Sequence, residues 1–486
     1  MALKYFIKTL GCQMNEHDSE RIAGVLESAG YDCAQSEQQA DIVVFNTCAI
    51  RENADNKFYG QLGRLKERKV KDKSLKIVVA GCLAQKDKEK ILQKAPFVDL
   101  VLGTFNVPEI GHYLDDQDGP KCIVSDSSDP FDVDSYQEMP VKRASECSAW
   151  VTIQIGCNNS CTFCIVPTVR GPEVSRPVKE IIKEVKGLVK NGVYEITLLG
   201  QNVNSFGRDI TLKIRQGVID KALISYYAGD IYFNEVGKNS NKVMPLFPHL
   251  LRELGETGIK RIRFTSPHPK DLSVETLKAM KEVSAVCPQL HLPLQSGSNR
   301  ILRLMQRGYT KEKYLEKLNV AKEMIPDLAV STDIIVGFPS ETEADFEQTL
   351  EVASLAKFDS AYTFIFSPRP FTKAAEMQND FVDYDVAVDR LERLKTVTEK
   401  SALLNNLKLV GSIQEVLVEG SSKKYSNVLT GRTLQNKLVH FPKVKDVKNG
   451  SVVSVKITEG FAHYLKGDML ELLQAPRVLK KLPVKL

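Results

Sequence analysis

Three thiols fall within eight residues at Cys157-Asn158-Asn159-Ser160-Cys161-Thr162-Phe163-Cys164, directly after the apolar stretch 150–156. Three thiolates on one loop can hold three irons of a four-iron, four-sulfur cube and leave the fourth iron open to another ligand. An open iron is a place for chemistry. A structural zinc loop is the bland alternative, but closed zinc sites take four ligands, usually in CxxC pairs, and no fourth ligand lies nearby.

Three further thiols, Cys12, Cys48 and Cys82, lie far apart, yet each directly ends a short β-like run: 5–11, 42–47 and 77–81. The intervening segments read as helices. Residues 19–29 set Ile22, Val25 and Leu26 at helical spacing, a charged stretch follows Cys48, and residues 87–94 follow Cys82. Such alternation builds a parallel sheet whose strands finish at one edge, where open α/β folds bind their ligands. The three thiols therefore converge at one rim of a flavodoxin-like domain and make a second three-thiolate site. A cysteine after an apolar strand is commonly only a small buried residue; three in the same structural position are harder to assign to packing.

With these motifs go Gly11-Cys12-Gln13-Met14-Asn15, Asn46-Thr47-Cys48, Ala80-Gly81-Cys82, Leu199-Gly200-Gln201-Asn202-Val203-Asn204 and Leu292-Pro293-Leu294-Gln295-Ser296-Gly297-Ser298. Together they resemble the methylthiotransferases among the radical S-adenosylmethionine (SAM) enzymes, over nearly the whole chain. Gln13-Met14-Asn15 after Cys12 is similar to the branch that modifies dimethylallyl-adenosine in tRNA. The resemblance implies two [4Fe-4S] clusters, one on Cys157, Cys161 and Cys164 that binds and cleaves SAM, and an auxiliary one on Cys12, Cys48 and Cys82 that takes part in sulfur delivery. It implies SAM contacts at Gly200, Gln201 and Asn202 (amino group), Gln295 and Ser296 (ribose), and residues 335–338, including Gly337 (adenine). The implied reaction puts a methylthio group on carbon 2 of adenosine 37, a C–H bond that acid–base chemistry cannot readily activate. Partners so implied are the tRNA anticodon stem-loop and an electron donor of flavodoxin or ferredoxin type. Two positions depart from the family: Ser340 and Phe371 stand where it usually has Gly, and glycine permits backbone angles that larger residues resist.

Composition fits a soluble cytoplasmic enzyme, expected to be a monomer. The 486 residues allow about three domains. No apolar run approaches the roughly 18 residues of a membrane span, and Lys4 and Lys8 interrupt the first strand where a signal peptide would be apolar. Ten cysteines without dense pairing point to a reducing compartment. Cys33, Cys122, Cys147 and Cys287 carry no motif.

The expected domains are 1–138, 139–407 and 408–486. A fourth β-like run at 98–102 continues the first domain, and the polar stretch 115–138 reads as a linker. Strand-like runs then recur at 149–155, 195–200, 261–265, 289–294, 330–336 and 361–366, separated by helix-like segments at 177–190, 246–256, 274–283, 309–324 and 341–356. Six β/α units make a partial barrel that resembles the radical SAM core, with the site on the loops after the strands. An insertion at about 205–247 alternates apolar and polar residues around Ala228-Gly229-Asp230, which predicts a surface β-hairpin.

The last segment resembles a TRAM domain, a small RNA-binding β-barrel, with β runs at 411–418, 438–441, 452–457 and 469–472. Residues 408–486 carry fourteen Lys and Arg against six Asp and Glu, net +8, leaving the remainder of the +5 chain at −3. Charge concentrated in this way suits a phosphate backbone. Arg432, Lys437 and Lys443 are the expected RNA-facing residues, whereas Lys480, Lys481 and Lys485 read as a solvated tail. Other readings stay open: a methylthiotransferase acting on threonylcarbamoyl-adenosine tRNA or on a ribosomal-protein aspartate, a cluster-bearing RNA-binding protein without catalysis, or an electron-transfer protein. The open cluster and the large barrel argue against the last.

Overall fold

The computed structural model of the chain describes residues 2–49, 52–115, 119–125, 139–236 and 242–476. Its first unit is an all-parallel sheet of six strands, β1 (Lys4–Leu10), β2 (Asp32–Cys33), β3 (Ile42–Thr47), β4 (Lys76–Gly81), β5 (Leu100–Leu102) and β6 (Lys121–Ile123), in the order β2-β1-β3-β4-β5-β6. Successive residues of the central strands serve opposite faces. Ile42, Val44, Val78 and Ala80 pack with Ile22 and Leu26 of helix Gln13–Ser28, while Val43, Phe45, Ile77 and Val79 pack with Phe58, Leu62 and Leu65 of helix Glu52–Lys71. Burial on both faces is why β3 and β4 read as continuous apolar runs. The expected linker is corrected in part: residues 121–123 form the edge strand β6, paired with β5, and most of the remaining stretch lies outside the described residues.

Residues 139–144 lie across helix Gln13–Ser28 on their way to the second unit. A Cβ on Gly24 would stand 2.2 Å from the Pro140 carbonyl oxygen, so only glycine allows this crossing. The second unit holds β7 (Ser148–Thr152), β10 (Glu195–Leu199) and β11 (Arg261–Phe264), then β12 (Gln289–His291), β13 (Ala329–Val336) and β14 (Ser360–Ile365). Each trio is parallel. Hydrogen bonds from Ile262 N–H to the Ala285 carbonyl and from Cys287 N–H to the Ile262 carbonyl join the two into one curved wall in chain order. The expected 149–155 strand breaks at Ile153: its last residues form β8 (Gln154–Ile155), antiparallel to β9 (Val174–Ser175).

The insertion corrects the sequence expectation. In place of a β-hairpin it forms helices Arg208–Arg215, Ile224–Ala228 and Asp230–Val236. Ile224, Ala228 and Tyr232 recur every four residues and are buried in the main core, so a helical period lies beneath the apparent alternation. Gly229, at φ +90°, breaks the run between the last two helices.

The last unit is a closed barrel, β15 (Ile413–Ser421), β16 (Val428–Thr433), β17 (Leu438–Pro442), β18 (Val452–Gly460) and β19 (Leu465–Gln474), in the order β15-β16-β17-β19-β18. A 24-residue helix, Tyr384–Leu407, leads into it. Among the described residues no helix is long and apolar enough to cross a membrane.

Candidate active site

The strand ends deliver the first three thiols as expected. Cys12 is the N-cap of helix Gln13–Ser28, Cys48 follows β3, and Cys82 opens helix Cys82–Asp87 directly after β4. A hydrogen bond from Cys48, aided by the Asn15 backbone N–H and the Arg170 charge, holds the Cys12 thiol low, at about 6. Helix N-termini lower thiol pKa values in this way. Burial instead pushes Cys82 up. Its sulfur accepts a hydrogen bond of 3.2 Å from Arg170 Nε, and the Arg170 guanidinium also pairs with Asp18. Arg170, 2% exposed, ends the short helix Val166–Arg170 just downstream of Cys164. One side chain thus ties the segment after Cys164 to Cys82, with Ile165 and Val169 packed on Ala49 and Cys82 beside it.

The second trio sits on a loop closed at its base by the β8–β9 pair. Gly156, at φ +74°, lets the strands meet: a Cβ there would stand 1.9 Å from the Pro172 carbonyl oxygen. Thr162 clamps the loop, its N–H donating to the Met305 carbonyl and its hydroxyl to that of Leu304, while its own carbonyl accepts from Ala374 N–H. Residues 157–162 and Cys164 line a cavity of about 420 Å³, together with Pro167, Thr168, Gly171, Pro172, Phe371, Thr372 and Lys373. Cys161 accepts a hydrogen bond of 3.2 Å from Arg307 Nη1, itself held by Tyr309 and the Pro293 carbonyl. Burial drives the Cys164 thiol up to about 12. A buried thiol of that kind becomes a thiolate ligand when a metal supplies the compensating charge.

Beneath the loop, at the ends of β7, β10 and β11, runs a buried polar chain. Gln154 donates to the Asn202 carbonyl, Asn202 binds Asp271 and accepts from His268 N–H, and Asn204 donates to the His268 carbonyl. Among the described residues, Gln154 Oε1, Asn204 Oδ1 and His268 Nε2 have no hydrogen-bond partner. Buried orphans of this kind call for a ligand or water. Two acceptor oxygens suit a donor-only group such as an ammonium, so the chemistry of these residues fits the amino-acid end of SAM. Burial and the Arg307 charge lower His268 to about 2, so its ring is neutral. Glu173, buried beside the loop and accepting from the Ser205 hydroxyl, is raised to about 7 by burial.

Comparison with known proteins sets these features in a lineage. Residues 4–103 match the uncharacterized protein family UPF0004, 151–353 the radical SAM superfamily and 407–470 the TRAM domain. Proteins named tRNA-2-methylthio-N(6)-dimethylallyladenosine synthase align over 96% of the chain: 44% identical in Corynebacterium jeikeium (86% of that protein), 46% in Acidothermus cellulolyticus (88%) and 45% in Clostridium tetani (96%). The chain belongs to the tRNA-2-methylthio-N(6)-dimethylallyladenosine synthase family. Among solved structures, the radical SAM methyltransferase TsrM from Kitasatospora setae gives a TM-score of 0.49 at 11% identity over 77% of each chain. Membership of the radical SAM superfamily implies a [4Fe-4S] cluster and SAM.

The structure gives the expected contact residues of this synthase-family chain the following surroundings. Asn202 is consumed by the polar chain, and Ser296 is fully buried, accepting from Ser298 N–H and facing the Thr349 hydroxyl. Gly200 admits the close approach of Gln154, whose Cγ would lie 2.8 Å from an added Cβ, and Gln201 is half-buried beside it. Gln295 takes a left-handed backbone, φ +67°, in a bridge to Ile334. Gly337, φ +70°, donates its N–H to Glu341.

The two departures from the family's glycines keep the glycine conformation: Ser340 has φ +67° and Phe371 φ +68°. The expected RNA-facing set is corrected at Lys437, which is 90% buried from solvent at its side chain and ion-paired with Asp359, joining the barrel to the second unit. Arg432 is half-exposed near Glu419, and Lys443 is exposed. Lys480, Lys481 and Lys485 lie outside the described residues. Sequence reasoning missed Arg170, Arg307, Gln154 and His268. Their only sequence signal is a polar residue close to a strand end or a cysteine loop.

Proposed function

We propose that this chain transfers a methylthio group to carbon 2 of N6-dimethylallyladenosine at position 37 of tRNA. The reading rests on identity of 44–46% across 96% of the chain to enzymes of that name, and the hydrogen bond from Arg170, just past Cys164, to Cys82 supports it. Cys157, Cys161 and Cys164 hold the SAM-binding [4Fe-4S] cluster, and Cys12, Cys48 and Cys82 hold a second one. When bound, the first cluster together with SAM would supply the radical chemistry that breaks the C–H bond, the second cluster would take part in delivering the sulfur that replaces the hydrogen, and SAM would supply the methyl group.

The chain's own residues then have separable tasks. Gln154 and Asn204 offer acceptors to the SAM ammonium, and Arg170 and Arg307 each steady one cysteine sulfur. The adenine must leave its stack to enter the cavity. Arg432 and Lys443, with the stacked pair Phe461 and Tyr464 beside Lys466, offer charge and a flat surface to the RNA backbone and bases. A flavodoxin or ferredoxin supplies the electron.

The test is anaerobic reaction of the reconstituted protein with prenylated tRNA, followed by nucleoside mass spectrometry. The expected product carries a methylthio group in place of one hydrogen on the prenylated adenosine. Reaction with threonylcarbamoylated tRNA or a ribosomal-protein peptide, and none with prenylated tRNA, would reject the substrate.

A further inference from the structure

Phe371 is 68% exposed, unusual for a phenylalanine in this chain, and lines the cavity above Cys157, Cys161 and Cys164. Its backbone sits at φ +68°, a conformation that costs a bulky residue free energy. The turn around it is firmly pinned. Thr372 donates its N–H and hydroxyl to the Arg369 carbonyl, Ala374 donates to the Thr162 carbonyl on the cysteine loop, and Thr372 and Ala374 are both buried. Its exposed ring is therefore held out by a rigid frame, and the exposed Lys373 also lines the cavity.

A strained, outward aromatic next to a cation, at the mouth of a cavity that must receive an unstacked base, has the make-up of a single-strand nucleotide contact: a π-face for the base and a charge for its phosphate. We propose that Phe371 is a positioning residue on which a base of the splayed RNA loop stacks at the entrance, with Lys373 taking the adjacent phosphate. This rests on the tRNA reading above and adds the contact that presents the base to the cavity.

The test compares wild type, Phe371→Gly, Phe371→Trp and Lys373→Ala, each with both clusters reconstituted, on prenylated and unprenylated anticodon stem-loops. Binding and steady-state kinetics are read alongside thermal unfolding. Phe371→Gly is expected to weaken stem-loop binding and raise KM about tenfold, with kcat within about twofold, since one base stack is lost. Its Tm should not fall, because glycine relieves the left-handed strain. Phe371→Trp should stay within about twofold of wild type, and Lys373→Ala should reduce the salt slope of binding by about one.

An unchanged KM in Phe371→Gly, a lowered Tm, or an equal loss in Phe371→Trp would each overturn the assignment. So would an effect confined to prenylated RNA, which would place the contact on the prenyl group. A wild-type protein that neither binds nor methylthiolates tRNA overturns the substrate reading and this inference together; wild-type activity with Phe371→Gly indistinguishable from it overturns this inference alone.

Discussion

Arg170→Met isolates the contact that joins the segment after Cys164 to Asp18 and Cys82. Methionine keeps the length and removes the charge, leaving Asp18, 4% exposed, without its guanidinium and Cys82 without its N–H donor. Removing one partner of a buried ion pair costs up to about 3–5 kcal/mol, less where the remaining charge keeps another contact, as Asp18 does. At about 3 °C per kcal/mol for a unit of this size, the first unfolding transition should drop by up to roughly 10–15 °C. Asp18→Leu combined with Arg170→Met removes both charges and should recover most of that loss, giving a coupling of about 3 kcal/mol in a double-mutant cycle. The assay is denaturant unfolding of the anaerobic protein with its clusters in place. An electron paramagnetic resonance redox titration should show the auxiliary cluster at a more negative potential, since a donor to its sulfur has gone. A coupling below about 0.5 kcal/mol, or an unmoved potential, would refute the reasoning.

Replacing Cys157, Cys161 and Cys164 together by Ala should leave about four of about eight irons, with no 5′-deoxyadenosine formed; replacing Cys12, Cys48 and Cys82 should also leave about four but preserve SAM cleavage. Burial raises Glu173 from 4.5 to about 7, so its contribution to stability is full below about 4.5 and is lost as pH climbs through about 7. Glu173→Gln should gain up to about 3 kcal/mol on wild type between pH 4.5 and 8, and a pH-independent difference in denaturant melts would contradict this. Lys443→Ala should lower the salt slope of tRNA binding by about one, whereas Lys437→Ala should leave the slope unchanged and lower the Tm, because Lys437 is spent on Asp359.

Parallel strands buried on both faces are written in local sequence, so β3 and β4 were legible, and with them the placement of Cys12, Cys48 and Cys82 at strand ends. The family resemblance also pointed to Ser340 and Phe371 as residues in glycine's place, and both have the positive φ that glycine favours. It misled at Ala228-Gly229-Asp230, where Gly229 interrupts a helical period rather than turning a hairpin. Strand β16 went unread because Gly431 and Arg432 dilute a short apolar run. Arg170 and Arg307 could not be read at all. They meet Cys82 and Cys161 across 88 and 146 residues of chain, and only the packed fold decides which arginine among many is buried on a sulfur.

The underside of the second unit sets a length. Arg261 and Arg263 of β11, both buried, donate to the carbonyls of Glu415, Arg432, Thr433 and Leu434, and Lys437 grips Asp359 just ahead of β14. These anchors lie where strands begin; the cysteine loop and its cavity lie where strands end. The terminal barrel is therefore a fixed gauge, not a tethered hand. An RNA touching both must span the height of the wall, about 26 Å along the eight residues of β13. A hairpin too short for that distance can be gripped at one end or presented at the other, never both, so the height of the wall adds a length requirement to whatever the site asks of the base.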